Sequence, residues 1–217
     1  CKIFGAIAIL FATSNAYSQD GFAVGLAGSL VDIEASGKET LRTTAVVDST
    51  GAADNQTAVG SVFAEYTWNN ITLGLDYIPG EADISNSVKQ RDDTDFQDGD
   101  TTAGTAVSNK AQAVIEDHYG VYLSYPLYES FYAKLGYVQA DIITQENLGT
   151  GSTYGNETLD GYQFAFGVKS DMANNLFFKT EVFFTDYDDI KITSSGSNTV
   201  EGDIDVTGIS LAVGYQF

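Results

Sequence analysis

The chain has one histidine, His118, and any hydrolytic relay of nucleophile, base and acid would have to be built around it. Glu116 and Asp117 stand directly before it, carboxylates of the kind that orient an imidazole. What is missing is the nucleophile. Gly120 occupies the position two residues on, and Ser124 is too far along the same strand face to serve. The sole cysteine, Cys1, lies at the start of the chain, so no disulfide and no cysteine metal site is expected. A solvated polar cluster is the expected role of Glu116, Asp117 and His118. The chain is expected not to be an enzyme and to need no cofactor.

Carboxylates are the other chemistry on offer. The run Asp92-Asp93-Thr94-Asp95-Phe96-Gln97-Asp98-Gly99-Asp100 places Asp93, Asp95, Asp98 and Asp100 close together, and oxygen ligands at this density suit Ca²⁺. It makes a weak calcium candidate. Counted from Asp93, the position that should hold glycine holds Asp98, and no glutamate closes the loop. Asp186, Asp188 and Asp189 form a second acidic group. With 10 basic against 30 acidic residues the net charge is −20, which excludes a nucleic-acid partner, because phosphates need a basic footprint.

These residues must be positioned by strands. In the last nine residues, Ile209, Leu211, Val213, Tyr215 and Phe217 alternate with Ser210, Ala212, Gly214 and Gln216. A period of two sends the bulky set to one face. Seven further segments carry the same alternation: Phe22 to Glu34, Ala58 to Trp68, Ile71 to Ile78, Val114 to Tyr125, Phe131 to Thr144, Leu159 to Ser170 and Leu176 to Ile192. The eighth runs from Asp203 to the end. Ahead of them, Lys2 and the apolar run Ile3 to Ala12 read as a signal peptide over residues 1–18, cleaved after Ala16 or Ser18. Residues 19–217 are then one domain. No apolar run reaches the roughly 20 residues that a membrane-spanning helix requires.

Short and long connections alternate. Asn69-Asn70, Pro126 to Ser130 and Asp171 to Asn175 are tight turns, while Ala35 to Thr57, Pro79 to Ala113, Gln145 to Thr158 and Thr193 to Gly202 are long and polar. That asymmetry is the plan of a transmembrane barrel with turns on one side and loops on the other. In hydrocarbon every backbone polar group must be paired, so the sheet must close. The expectation is an all-β, closed, eight-stranded antiparallel up-and-down barrel in the outer membrane, with both termini periplasmic. A secreted lipocalin-like barrel would share the alternation, but not the aromatic ending or the loop asymmetry.

If the bulky face meets lipid, the lumen receives Glu65, Asp76, His118, Lys134, Lys169, Lys179 and Glu181. Eight strands leave room only for side chains, and opposite charges confined there should pair. Glu65, Asp76, Lys134, Lys179 and Glu181 are the expected polar network, filling the lumen as a plug.

The signal peptide, the eight strands, the loop asymmetry and the ending Tyr215-Gln216-Phe217 together resemble the small bacterial outer-membrane barrels of the outer-membrane protein A, outer-membrane protein X and opacity-type families. That resemblance implies that Val213, Tyr215 and Phe217 form the signal read by the barrel-assembly machinery. It also implies a monomeric scaffold whose external loops carry surface contacts, with lipid and lipopolysaccharide around it. The lipid A deacylases of this fold use a His-x-Ser site, from which Gly120 departs. The expected role is structural or adhesin-like, through long acidic loops. The alternative is transport, as a narrow cation-preferring pore or a channel for small hydrophobic compounds of the outer-membrane protein W kind.

Overall fold

The structure is a computed structural model, and it describes residues 20–40, 47–85, 89–94, 106–147 and 153–217. The expected signal peptide and the acidic positions Asp95, Asp98 and Asp100 lie outside the described residues, as does the side chain of Asp93. The elements in order are β1 (Gly21–Thr40), β2 (Val47–Trp68), β3 (Ile71–Asp83), β4 (Lys89–Thr94), β5 (Ala106–Tyr128), β6 (Phe131–Asn147), β7 (Glu157–Asp171), β8 (Leu176–Tyr187), β9 (Ile190–Thr193) and β10 (Thr199–Gln216), with one 3₁₀ turn at Ala173–Asn175. None of the described residues forms a helix long and apolar enough to cross a membrane.

Eight of these strands pair antiparallel in the order β1-β2-β3-β5-β6-β7-β8-β10, and β10 returns to β1, so the sheet closes on itself. The closing ladder runs from Ala23↔Gln216 to Thr40↔Thr199. It is finished by the Phe217 amide, which donates to the Phe22 carbonyl at 2.8 Å, and by the two rings 5.8 Å apart. The expected eight-stranded barrel is the observed one. Two short strands extend it, β4 on β5 and β9 on β10.

Side chains alternate as the bulk pattern requires. Leu26, Leu30, Leu73, Leu75, Leu123, Phe164, Phe166 and Leu211 are exposed on the outside, and Phe63, Tyr122, Tyr132, Phe177 and Phe183 are buried within. Glycine makes this packing feasible at close range: a Cβ at Gly74 would run into the Tyr122 ring, and one at Gly214 into the Phe177 ring. The turn Asn69-Asn70 has both residues at positive φ, 48° and 66°. That is the conformation whose twist matches a two-residue hairpin.

Strands outrun their expected limits at the opposite end. Much of the segment Ala35 to Thr57 and the two ends of Gln145 to Thr158 are paired sheet: β1 continues to Thr40, β2 begins at Val47, β6 runs to Asn147 and β7 begins at Glu157. Gly, Asn and Asp are poor strand formers alone, but here each extends a ladder already in register. The seventh expected strand is divided. Asp188 and Asp189 interrupt it, β8 stopping at Tyr187 and β9 resuming on β10 alone.

Candidate functional site

The lumen is built from the inward residues of all eight strands, in two storeys. The lower storey is polar. Lys179 Nζ donates to Glu65 Oε1 at 2.6 Å, both side chains being 7% exposed. Lys134 Nζ donates to Glu181 Oε2 at 2.8 Å, both 9% exposed. Each carboxylate also accepts from a tyrosine, Glu65 from Tyr122 OH at 2.7 Å and Glu181 from Tyr132 OH at 2.6 Å. Lys134 sits 4.7 Å above the Tyr122 ring, which joins the two pairs, and Lys179 sits 4.3 Å above Phe63. Charges this buried persist only when paired and hydrogen-bonded, and here all four are.

Four of the five expected network residues thus meet. The fifth, Asp76, stands apart on β3, opposite Gly120, its carboxylate filling the space that a Cβ at Gly120 would take. The tyrosine hydroxyls were not part of the expected network. Their signal was present, because a tyrosine on an inward face must find a polar partner.

Above the ion pairs lies a cavity of about 140 Å³. Its walls are mainly apolar, with Val31, Ile33, Val59, Ile78, Ile115 and Val206 among them, and are interrupted by Asp76, Glu81, Glu116 and His118. Several belong to a buried cluster that continues through Val138, Ile142, Leu159 and Ile204. The reason is a change in the phase of the alternation. On β1 the outward apolar residues end at Leu30, after which Asp32 and Glu34 point out and Val31 and Ile33 point in. On β6 the change falls after Tyr137, with Gln139 outside and Val138, Ala140 and Ile142 within. Above that change the outer face is polar and the interior apolar, as in a soluble sheet.

A collar of tyrosines marks the same level from outside. Tyr77 stacks on Tyr119 with centroids 4.8 Å apart, and Tyr137 meets Tyr162 edge-on at 5.9 Å. Tyr77 OH donates to Asp117 Oδ1 at 2.7 Å and Tyr137 OH to Asp160 Oδ1 at 2.6 Å. Asp117 is therefore outside the wall, while Glu116 and His118 line the cavity. The strand divides the polar triplet around His118 between two faces.

The wall is interrupted beside the cavity. Among the described residues the β2–β3 ladder extends only from Trp68↔Ile71 to Val62↔Tyr77. Beyond it β3 shifts register against β5 between Ile78 and Glu81, where Pro79 has no N–H to donate and Gly80 takes φ +94°. The two strands meet again where Asn55 Nδ2 donates to the Asp83 carbonyl at 2.6 Å. The slot between is bordered inside by Val59, Ser61, Ile78 and Ala82, all of which line the cavity. On its outer face stand Ala58, Gly60, Tyr77 and Pro79, with the exposed Glu81 at its upper end.

Residues 4–217 match the model of the outer membrane protein beta-barrel domain family. No curated protein matches the chain in sequence. Among solved structures, the outer membrane protein OprG from Pseudomonas aeruginosa is similar at a TM-score of 0.53 and 13% identity, covering 91% of this chain and 97% of that one. The outer membrane protein AlkL aligns at 0.45 and 16% over 98% and 97%. Ail, the attachment invasion locus protein of Yersinia pestis, aligns at 0.41 and 13% over 88% and 99%. At these identities the likeness is one of fold.

Proposed function

The chain belongs to the outer membrane protein beta-barrel domain family, and from that premise we propose that it passes small apolar compounds between its lumen cavity and the outer membrane around it. The observation that carries this reading is the interrupted β2–β3 ladder opening on a mainly apolar cavity. An apolar solute gains wherever it leaves water, roughly 25 cal/mol per Å², and both the apolar part of the cavity wall and the rim residues Ala58, Gly60, Tyr77 and Pro79 offer that gain. The ion pairs below close the straight path with fixed charges. Exchange through the side avoids them.

In this reading the barrel stands with its short turns and both termini in the periplasm and its long hairpins outside. Assembly proceeds through the barrel-assembly machinery, using Val213, Tyr215 and Phe217, and the protein works as a monomer among lipid and lipopolysaccharide. His118 has no catalytic role in this reading. The test is a removable bolt. Ser61→Cys with Ile78→Cys places thiols on the first unpaired rung above Val62↔Tyr77. Oxidation should stop saturable toluene binding by the protein in lipid nanodiscs, and reduction should restore it. Equal binding in both states would remove the lateral route.

A second reading, attachment to a surface, is favoured by the acidic outer face of the extension. Asp32, Glu34, Asp54, Asp203 and Asp205 converge there on three adjacent strands. A basic surface partner fits that charge. Reversing three of these residues to lysine should abolish adherence to a cationic surface while leaving toluene binding intact.

A further inference from the structure

We infer that the cavity selects apolar molecules carrying one hydroxyl group, which is held by His118 with Asp76 beside it. The inference rests on the cavity being a solute site, as proposed above. His118 is 8% exposed, and its Nδ1 has no hydrogen-bond partner among the described residues. A buried ring nitrogen left unpaired is uncommon in folded proteins and calls for an explanation. His118 lines the cavity, and the Tyr187 ring meets it edge-on at 6.4 Å. Asp76 is on the neighbouring strand, opposite Gly120, while His118 is opposite Ile78. Asp76 is half-buried, lines the same cavity, and pairs with no cation among the described residues.

The chemistry of the missing group follows from what surrounds it. A hydroxyl both donates and accepts, so it satisfies Nδ1 in either tautomer, and when Nδ1 carries the proton its own hydrogen is free for Asp76. An ammonium would be attracted to Asp76, but it would share the cavity with Lys134 and Lys179 and lose part of its hydration against the apolar part of the wall. A carboxylate would face Asp76, Glu116 and Glu181. A neutral hydroxyl meets neither objection. The volume of about 140 Å³ is close to that of an engineered apolar cavity of about 150 Å³ that holds benzene. A single-ring phenol or a short branched alcohol is the right size.

Because the chain has one histidine, tag-free protein labelled with ¹⁵N-histidine gives signals from His118 alone. The probes are phenol and toluene, equal in shape and differing in the hydroxyl, added to the protein in nanodiscs with empty nanodiscs as the blank. Phenol should move the Nδ1 resonance saturably, and toluene should bind without doing so. In His118→Phe the ratio of phenol to toluene affinity should fall about three- to tenfold, the range that one neutral hydrogen bond gives. Asp76→Asn, which keeps the shape of the side chain, should lower the same ratio by a smaller factor. Taking the ratio between proteins cancels the difference in hydration of the two probes. If toluene binds and the ratio is the same with and without the imidazole, the assignment of His118 is overturned while the apolar cavity survives. If neither probe binds saturably to folded protein, both readings fall.

Discussion

Lys179→Met is the sharpest perturbation of the lower storey. Methionine is unbranched and keeps contact with Phe63 and Phe177, over which the ammonium now lies at 4.3 and 6.0 Å, so the change removes charge more than volume. It leaves Glu65 with one partner, the Tyr122 hydroxyl at 2.7 Å. Removing one member of a buried pair costs about 3–5 kcal/mol, because the remaining charge is uncompensated. With both side chains 7% exposed, solvent offers little relief, and the full range applies. That is a large part of the 5–15 kcal/mol that stabilises an ordinary domain. Glu65→Gln alone should also destabilise, since it strands the Lys179 ammonium. The double variant leaves no charge behind, and its cost should fall well below the sum of the two, by about 2 kcal/mol or more. Urea unfolding in lipid vesicles, followed by the fluorescence of Trp68, the chain's one tryptophan, measures all four proteins. Single effects that add to within about 0.5 kcal/mol would mean that the charges act independently. That result would refute the paired plug.

Leu211, 56% exposed on the outer face, should cost about 2–4 kcal/mol when replaced by arginine, because a cation at the membrane midplane lies against hydrocarbon; normal heat-modifiable migration and unchanged urea midpoint would contradict the assigned lipid face. Gly74→Ala puts a methyl into the Tyr122 ring and should destabilise by about 1–3 kcal/mol, an effect that Tyr122→Phe in the same chain will not relieve but Tyr122→Ala will. Glu201, bonded to Lys38 at 2.7 Å and Lys191 at 2.9 Å, is held from its ordinary 4.5 down to about 2, chiefly by the Lys38 hydrogen bond. Its contribution is therefore whole above the usual carboxylate range and is lost as pH falls from about 4.5 towards 2; amide exchange in β9 should quicken only in that window, and a carboxyl resonance titrating at the ordinary value would negate the pairing. Asp203, pushed up first by desolvation and then by Asp205, Asp189 and Asp186, has the opposite sign and should gain from the same acidification.

The membrane-facing half of the fold was readable because one solvent imposes one rule. Hydrocarbon outside forces bulk outward and small or polar residues inward along every strand, and the terminal alternation from Ile209 to Phe217 shows it without interruption. Glu65, Lys134, Lys179 and Glu181 were likewise readable as inward charges of opposite sign. Who touches whom was not, since the register across eight strands fixes that Tyr122 reaches Glu65 and Tyr132 reaches Glu181. The outermost strand ends, beyond Glu34, before Ala58 and after Thr144, were read as loop because Gly, Ser and Asp announce turns locally, while the ladders that carry them are set by register with their partners. The slot was invisible for a related reason. Pro79 and Gly80 suggest a loop as readily as a bulge, and only the missing rungs between β2 and β3 distinguish the two.

The point at which each strand exchanges its apolar face from outside to inside has a consequence of its own. Sliding the barrel inward by one rung, about 3.4 Å along a strand, would carry Asp32, Gln139 and Asp160 towards hydrocarbon, and sliding it outward would bare Leu30 and Phe184 to water. Both moves are opposed all the way round the ring. The sequence therefore carries a waterline, and the thickness of the membrane that suits this protein is written in it. Deleting Val31 alone would bring Ile33 onto the outer face in line with Leu30, but it would also turn Asp32 and Glu34 into the lumen, because a one-residue shift sends every side chain beyond it to the other face. The waterline is therefore tied to the buried cluster around Val31 and Ile33, and it does not move on one strand without placing charge inside.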